Sequence, residues 1–404
     1  MSAAPYLGID IGELTVKVAT DGGVETIPAS AGGPVAAIRV ALARAGTSAG
    51  ICIAVPDAWL SGEVSGAARQ EELRHACEAG ARTGPVGWAG QLAAVSAFAA
   101  MSHGQGRYLV CEIGGTGVRA GVFSVSGGTV RIGTTYAEAG GGWRDFDAAI
   151  RASLPPGSSS GWPAAWYEQA MTKEKRARAV LVLEEAATGL DDALDTRLYR
   201  IAGADGDIPL TARAVIDSFA PTQRRLQAVI AAVGGDTQPD HVVLAGSLGW
   251  LPLATSTAAR AVGLGPAGTE DADAGLIVLG PDTAAHGALL FARGEARLAP
   301  PAGREQVAVP VHRIRDGQLD EVPVTLPWTE SFATFPGGDP TVDSDELQVL
   351  VAGRPHVASL PGLVPGPHRI GLRPAWPGPG VLVVRPATGH GAPHVIPLAD
   401  LAAR

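Results

Sequence analysis

VCEIGGTG, at residues 110–117, says more about the fold of this chain than any other stretch. An apolar run ends there at an acidic residue and breaks into glycines. LGIDIG at residues 7–12 is similar, and in VVLAGS at residues 242–247 the apolar run breaks at a glycine beside a small polar residue, Ser247. A buried strand that ends in a glycine turn presents backbone N–H groups with no Cβ in front of them. Alternating apolar runs follow two of these segments, at residues 15–19 and 118–125, so the sequence predicts paired hairpins that hold a phosphate chain.

Seven segments follow one another in a recognisable order along the first three quarters of the chain. They are IDIGEL (9–14), AVPDAW (54–59), GQLAAVSAFA (90–99), EIGGTG (112–117), GGWRDFD (141–147), VLAGSLGWLP (243–252) and PDTAAHGAL (281–289). In this order they resemble the nucleotide-binding domain of the seventy-kilodalton heat-shock chaperones, which belong to the actin-like ATPase superfamily. Seven short motifs in the correct order are a stronger signal than any one of them.

The resemblance implies an α/β chain with a two-lobed actin-like ATPase fold, built from duplicated ribonuclease H-like lobes and followed by a small all-β C-terminal domain. The nucleotide-binding domain is expected in a reduced form that lacks one subdomain. The expected divisions are a nucleotide-binding domain at 1–299, with lobe I at 1–106 plus a helix at 281–298 and lobe II at 107–280, then a linker at 300–306 and a β-rich domain at 307–404.

The resemblance also implies that ATP or ADP binds with Mg²⁺ in the cleft between the two lobes. Asp10, Glu112 and Asp282 match the catalytic acids, and Asp10 would hold the magnesium ion through water. The expected nucleotide contacts lie in the glycine segments, in the segment GGWRDFD and on one helix. They are Gly12, Glu13, Leu14, Gly114, Gly115, Thr116, Gly117, Gly141, Gly142, Arg178, Gly246, Ser247 and Trp250.

Four of these residues also have a purely structural interpretation. Asp10 lies between apolar residues at a strand end, where a carboxylate needs a compensating charge such as hydrated Mg²⁺, but it also fits a capped turn. Asp282 is well placed to cap the last helix of the domain. Trp250 either stacks on adenine or packs as a half-buried core residue. Arg178 either contacts the base or lies on a solvated helix face.

Several departures from the chaperone pattern predict weak or lost hydrolysis. Glu13 and Leu14 replace two threonines of the first phosphate loop; Leu14 cannot donate a hydrogen bond and Glu13 repels phosphate. Gly90 replaces a glutamate near the metal, and Glu112 is one methylene longer than the family's aspartate. The interval before the strand at 51–55 is too short for the subdomain that supplies a catalytic lysine. Phosphoryl transfer depends on positioning and charge neutralisation, so a slow or inactive ATPase is expected.

The last hundred residues differ in character from the rest. Alternating runs separated by turn residues predict a small antiparallel β domain. The runs lie at 306–315, 321–326, 346–351, 368–372, 381–385 and 394–396. Their place in the chain matches the peptide-binding domain of the chaperones, so a protein partner or peptide is expected to bind through residues 307–404.

Composition and charge exclude several classes of protein. A net charge of −9 argues against a broad surface for nucleic acid or anionic membranes. No apolar run approaches the ~18 residues of a membrane span, and residues 1–5 do not resemble a signal peptide. Three cysteines without metal-binding spacing are typical of buried thiols in a reducing compartment. A cytoplasmic protein without membrane insertion is expected.

Three functions remain open from the sequence. The first is a chaperone-like nucleotide-binding protein whose nucleotide state controls how the β domain meets a protein partner. The second is a pseudo-ATPase scaffold that binds a partner without turnover, which Glu13, Leu14, Gly90 and the missing lysine favour. The third is a small-molecule kinase on the same fold, which would need a base for a substrate hydroxyl that no motif supplies. The first, with impaired hydrolysis, is the prediction adopted.

Overall fold

A computed structural model provides the structure. It describes residues 4–12, 14–29, 33–45, 48–60, 64–80, 86–154, 197–203, 206–234, 238–263, 275–300, 305–315, 318–328, 332–375, 380–388 and 392–403. Over these residues the chain is mixed α/β, with several sheets and helices. The chain divides into two compact units: the first takes Met1–Ala97, Gly128–Ile132 and Ala284–Arg404, and the second takes Phe98–Gly127 and Gly133–Thr283. None of the helices within the described ranges is long and apolar enough to cross a membrane.

A five-stranded sheet opens the first unit. Its strands are β1 (Tyr6–Ile11), β2 (Thr15–Thr20), β3 (Gly23–Pro28), β4 (Gly50–Val55) and β5 (Val86–Gly90), in the order β3-β2-β1-β4-β5. Every residue of β4 is buried, because a parallel strand inside a sheet is covered on both faces and needs a continuous apolar run. The accompanying helices are α1 (Gly33–Ala45), a 3₁₀ turn (Asp57–Leu60), α2 (Val64–Gly80) and α3 (Gln91–His103). Ile38, Leu42 and Leu73 of α1 and α2 complete the core of this sheet.

A six-stranded sheet follows. It contains β6 (Gly106–Ile113), β7 (Gly117–Ser126), β8 (Thr129–Ala139), β11 (His241–Gly246), β12 (Leu276–Val278) and β13 (Arg297–Leu298), in the order β12-β11-β6-β7-β8-β13. A separate hairpin pairs β9 (Arg197–Gly203) with β10 (Gly206–Thr211). The helices of this part are α4 (Trp143–Ser153), α5 (Ala212–Val233) and α6 (Pro252–Ala261). A further helix, α7 (Thr283–Arg293), belongs to the first unit from Ala284 onward. Phe146, Phe219 and Leu226 on α4 and α5 pack against the sheet in the core of the second unit.

The two sheets share an arrangement of five strands. The order β3-β2-β1-β4-β5 is repeated as β8-β7-β6-β11-β12. In both, the central strand is antiparallel to the strand that follows it in the chain and parallel to its other neighbour. The turns also match, because the Gly12 N–H donates to the Thr15 carbonyl at 3.0 Å and the Gly114 N–H to the Gly117 carbonyl at 2.9 Å. The two glycine hairpins therefore hold equivalent places in their sheets.

Within the described residues, nine short strands form the β-rich C-terminal region. They are β14 (Val307–Arg315), β15 (Gln318–Thr325), β16 (Thr341–Val342), β17 (Glu346–Val351), β18 (Arg354–Ser359), β19 (Gly366–Arg373), β20 (Val381–Pro386), β21 (His394–Pro397) and β22 (Ala402–Ala403). They make two antiparallel sheets, β15-β14-β17-β18-β22 and β16-β19-β20-β21. Val349, Ile370 and Val384 lie in their common core. All six runs predicted from alternation overlap these strands.

The β-rich region packs against α2, and both belong to the first unit. Ala67 of α2 lies in one buried apolar cluster with Val381 and Val383 of β20 and Val395 of β21. Burial of this apolar surface stabilises the contact. The β-rich region is thus joined to the first sheet's helices by a packed interface.

A buried charge cluster lies at the same contact. The Glu71 carboxylate on α2 is 3.2 Å from Nε of Arg74, 3.0 Å from Nε of Arg373 and 4.0 Å from Nη1 of Arg385. The Phe332 ring lies under two of the guanidinium groups, with its centroid 4.7 Å from Cζ of Arg373 and 4.6 Å from Cζ of Arg385. Burial alone would raise the pKa of the Glu71 carboxyl, but the three arginines outweigh it and lower that pKa below its ordinary value. Glu71 therefore stays ionised, and its ion pairs connect α2 to β19 and β20.

Acid is expected to destabilise the first unit in two steps. Burial, and then the nearby His368, lower the pKa of His394 despite the opposing charge of Asp345. The unfolded chain therefore binds more protons, so this contribution is complete above the ordinary His pKa of about 6.5 and is lost as the pH falls through the folded value. The Glu71 contribution is present above the ordinary Glu pKa of about 4.3 and is lost as the pH falls through its lowered folded value.

Melting temperatures measured at a series of pH values from neutral to strongly acidic will test this. The His394→Gln variant should flatten the upper step, and the Glu71→Gln variant should flatten the lower one. A melting temperature that rises on acidification between these two regions would contradict the sign of the shift.

Candidate functional site

The first glycine hairpin carries a buried acid with two polar partners. Asp10, near the end of β1, is only 5% exposed. The Gln91 side chain, at the start of α3, donates to Oδ1 of Asp10 at 2.5 Å and to the Ile11 carbonyl at 3.0 Å. Lys17 on β2 places its Nζ 3.9 Å from Oδ2 of Asp10. The carboxylate is thus held by an amide and faces an ammonium group.

The space beside Gly90 is filled by a carboxylate from another segment. A Cβ at Gly90 would overlap Oδ1 of Asp57, in the 3₁₀ turn after β4. Oδ2 of Asp57 accepts the Leu92 N–H at 3.1 Å, at the start of α3. A side chain at position 90 would therefore require the Asp57 carboxylate to move. Asp57 occupies the place that a side chain at position 90 would take.

The second hairpin carries an acid and a base in the corresponding positions. Glu112, near the end of β6, is 7% exposed. Its Oε2 lies 3.4 Å from Nη2 of Arg119 on β7. Gly246, at the end of β11, has a positive φ of 86°, and a Cβ there would overlap the Ile113 carbonyl and lie 3.0 Å from Cγ of Glu112. Close packing of strand ends around Glu112 therefore requires glycine at position 246.

The first residues of α4 form hydrogen bonds to the turn of the second hairpin. The N–H groups of Trp143 and Arg144 donate to the carbonyls of Gly114 and Gly115, both at 2.9 Å. A Cβ at Gly142 would lie 2.7 Å from each of three backbone atoms of the hairpin turn. The first amides of α4 thus bind the loop itself. Gly142, predicted as a nucleotide contact, is placed to support the loop.

Further contacts fix the chain before α4. The Gly140 N–H donates to the Thr116 carbonyl at 2.8 Å. The Gly141 N–H donates to Oδ2 of Asp145 at 2.6 Å, and the Gly141 carbonyl accepts the Thr222 hydroxyl at 2.7 Å. Gly140 and Gly141 both have positive φ, of 81° and 72°. These bonds hold the second hairpin in one shape, as a preorganised binding loop requires.

The predicted adenosine segment forms the turn between β11 and α6. The indole Nε1 of Trp250 donates to the Ser247 carbonyl at 2.9 Å. Trp250 is partly buried and packs against the core of the second unit. The structural interpretation of Trp250 thus has direct contacts to support it, and the stacking interpretation stays a prediction.

The structure gives a position for two of the remaining predicted site residues, Asp282 and Leu14. Asp282 lies in the turn just before α7, the helix it was expected to cap. Leu14 lies in the first hairpin turn, and its carbonyl accepts the Ala29 N–H at 3.0 Å. Glu13 and Arg178 lie outside the described residues.

Comparison of the hairpins reveals a repeated charge pattern. Asp10 pairs with Lys17 across β1 and β2, and Glu112 pairs with Arg119 across β6 and β7, in the same register. The matching segments are DIGELTVK at residues 10–17 and EIGGTGVR at 112–119. Both read acid-Ile-Gly, three variable residues, Val and a base. This spacing is visible in the sequence, yet the two bases were not singled out there.

The carboxylates of the hairpins do not fit a hydrated magnesium ion well. Asp10 already faces Lys17 and accepts from Gln91, while Glu112 faces Arg119. A divalent cation here would stand close to a fixed ammonium or guanidinium group of like charge. Within the described ranges, no three or more His, Cys, Asp or Glu side chains are grouped to hold a metal ion. The residues around these two carboxylates thus do not fit a magnesium site.

No protein-family profile matches the chain, and no curated protein is significantly similar to it.

Proposed function

We propose that this chain is a nucleotide-binding protein of the actin-like ATPase superfamily, similar to the seventy-kilodalton chaperones, that binds ATP or ADP. The observation that carries the proposal is one arrangement used twice: a glycine hairpin on the central strand, beside a parallel strand, in two sheets of equal order. Glycine turns at strand ends present backbone N–H groups to phosphates. We propose ATP rather than another nucleotide because the sequence segments resemble those of the seventy-kilodalton chaperones.

Weak or lost hydrolysis is part of the proposal. Phosphoryl transfer needs groups placed accurately around the phosphate and the attacking water. Leu14 offers no side-chain donor in the first turn, and the Asp10 and Glu112 carboxylates are each engaged by a base. A carboxylate already directed toward a neighbouring base is poorly placed to orient an attacking water. Slow turnover follows from this chemistry.

The β-rich region is proposed to engage a protein partner, in line with its place after the nucleotide-binding part. Its contact with α2 supports a link to the first hairpin. Glu71 of α2 bonds Arg373 of β19. The preceding residue, Gln70, donates through Nε2 to the Trp59 carbonyl at 2.5 Å. The β-rich region is thus connected to the 3₁₀ turn that contains Trp59.

The connection continues from this turn to the first hairpin. Asp57 in the same turn accepts the Leu92 N–H, and Gln91 beside it donates to Asp10. Every member of this series belongs to the first unit. A partner that shifts the β-rich region would therefore act on the position of the Asp10 carboxylate. Coupling along this route predicts that a bound partner changes the affinity for ATP.

A second candidate function is a pseudo-ATPase scaffold that binds its partner without nucleotide turnover. The observation in its favour is again the pairing of Asp10 with Lys17 and of Glu112 with Arg119. Each pair places a positive charge beside a buried carboxylate without any ligand. The two candidates differ in whether ATP binds at all.

Calorimetric titration with ATP and with ADP, followed by phosphate release from the same sample, will separate the candidates. The proposal predicts saturable binding and slow release that falls further in the Asp10→Asn variant. The absence of binding heat at millimolar ATP would contradict the proposal and favour the pseudo-ATPase scaffold. Rapid release that depends on an added small molecule would instead indicate a small-molecule kinase. The surface variant Arg260→Gln serves as a control, since the Arg260 side chain is exposed and bonds only within its own helix among the contacts described.

A further inference from the structure

We propose that each of the two glycine hairpins binds phosphate with its own cation, Lys17 on the first and Arg119 on the second, and without a divalent metal ion. This inference rests on the proposed nucleotide-binding function and specifies its chemistry. The ligand class is a nucleoside di- or triphosphate, recognised through its phosphate oxygens.

The position of the two bases is the first argument. Each base lies directly across the hairpin from the buried acid, at the same distance in sequence from the turn glycine. Lys17 lies 3.9 Å from Asp10, and Arg119 lies 3.4 Å from Glu112. A repeated position on two hairpins indicates that the cation belongs to the hairpin as a unit.

The burial of the four side chains is the second argument. The side chains of Asp10 and Glu112 are 7% and 10% exposed, whereas those of Lys17 and Arg119 are 15% and 19% exposed. A buried carboxylate needs a compensating positive charge. The base supplies that charge and keeps more contact with solvent than the acid does. A metal ion is then not needed to neutralise the carboxylate.

The chemistry of the bases is the third argument. An ammonium group has three N–H donors and a guanidinium group has five, so each can bind a carboxylate and a phosphate at once. Arginine binds phosphate oxygens in pairs, and lysine binds them as a point charge. The turn glycines let the phosphate approach the backbone closely. On each hairpin, the base and the backbone N–H groups can thus supply hydrogen-bond donors to phosphate oxygens.

The test is calorimetric titration of the full chain with ATP, in excess Mg²⁺ and in excess EDTA. We expect the same affinity in both media for the unaltered protein. Arg119→Gln and Lys17→Met should each weaken binding by about 10- to 100-fold, the loss expected for a hydrogen bond to a charged group. Lys17→Met should also make binding depend on Mg²⁺, since Asp10 then lacks its ammonium partner. Arg260→Gln should bind as the unaltered protein does.

Each outcome decides a different point. Binding by the unaltered protein only when Mg²⁺ is present would overturn this inference and leave the proposed function intact. No binding in either medium would overturn the proposed function and the inference with it. If Lys17→Met fails to fold, Lys17→Arg and Arg119→Lys keep the charge, and both should still bind ATP in EDTA. Loss of EDTA-resistant binding in those conservative variants, with Mg²⁺ restoring it, would contradict the inference.

Discussion

Replacement of Glu71 by glutamine is expected to lower the free energy of unfolding by about 3–5 kcal/mol, as when one partner of a buried ion pair is removed. The Glu71 side chain is 1% exposed and lies beside Arg74, Arg373 and Arg385. Glutamine keeps the size of the side chain but leaves three buried guanidinium groups without the carboxylate. The contact between α2 and the β-rich region should therefore weaken together with the fold.

Urea denaturation followed by tryptophan fluorescence will measure the effect. Glu72→Gln is the matched control, because Glu72 is the next residue on α2 and is exposed. A surface change of this kind usually stays within about 0.5 kcal/mol. Equal effects for the two variants would contradict the role given to the Glu71 cluster.

Replacement of Gly287 by alanine is expected to destabilise the chain by about 3 kcal/mol or more, the upper end for overpacking. In an ordinary helix interior the same change stabilises by roughly 0.5–1 kcal/mol, so the sign is the informative part. Gly287 lies in α7, and a Cβ there would overlap the Ala94 carbonyl of α3. Backbone on both sides leaves no flexible atom to move away.

Thermal unfolding of Gly287→Ala and Gly280→Ala will test this. Gly280 lies just before α7, its φ is not positive, and a Cβ there would meet no atom within 4 Å. The control should keep the melting temperature of the unaltered protein. A higher melting temperature for Gly287→Ala would show that α3 and α7 are not packed this closely.

Local patterns in the sequence were sufficient to predict many elements. The glycine hairpins, the six β-like runs and the buried strand at residues 51–55 all correspond to described elements. Each of these signals lies within a few neighbouring residues, as alternation and turn chemistry do. The identity of the superfamily, the nucleotide and the partner stay predictions.

Contacts between distant residues could not be predicted in this way. Arg373 donates a hydrogen bond to Glu71, 302 positions away in the sequence, and no local pattern around either residue indicates this pairing. Asp57 fills the space at Gly90 through packing of a turn against a strand end. Lys17 reaches Asp10 only once the register of the hairpin is fixed. Side-chain pairing across strands follows register, which in a hairpin is fixed by the turn type and the loop length.

Hydrogen exchange with and without saturating ATP tests nucleotide binding at the hairpins most directly. The proposal predicts that ATP slows exchange in peptides that cover residues 8–17, 112–119 and 241–250, and that Gly142→Ala abolishes the protection around 112–119 by displacing the loop. Unchanged exchange in all three segments at millimolar ATP, or protection confined to the β-rich region, would contradict it.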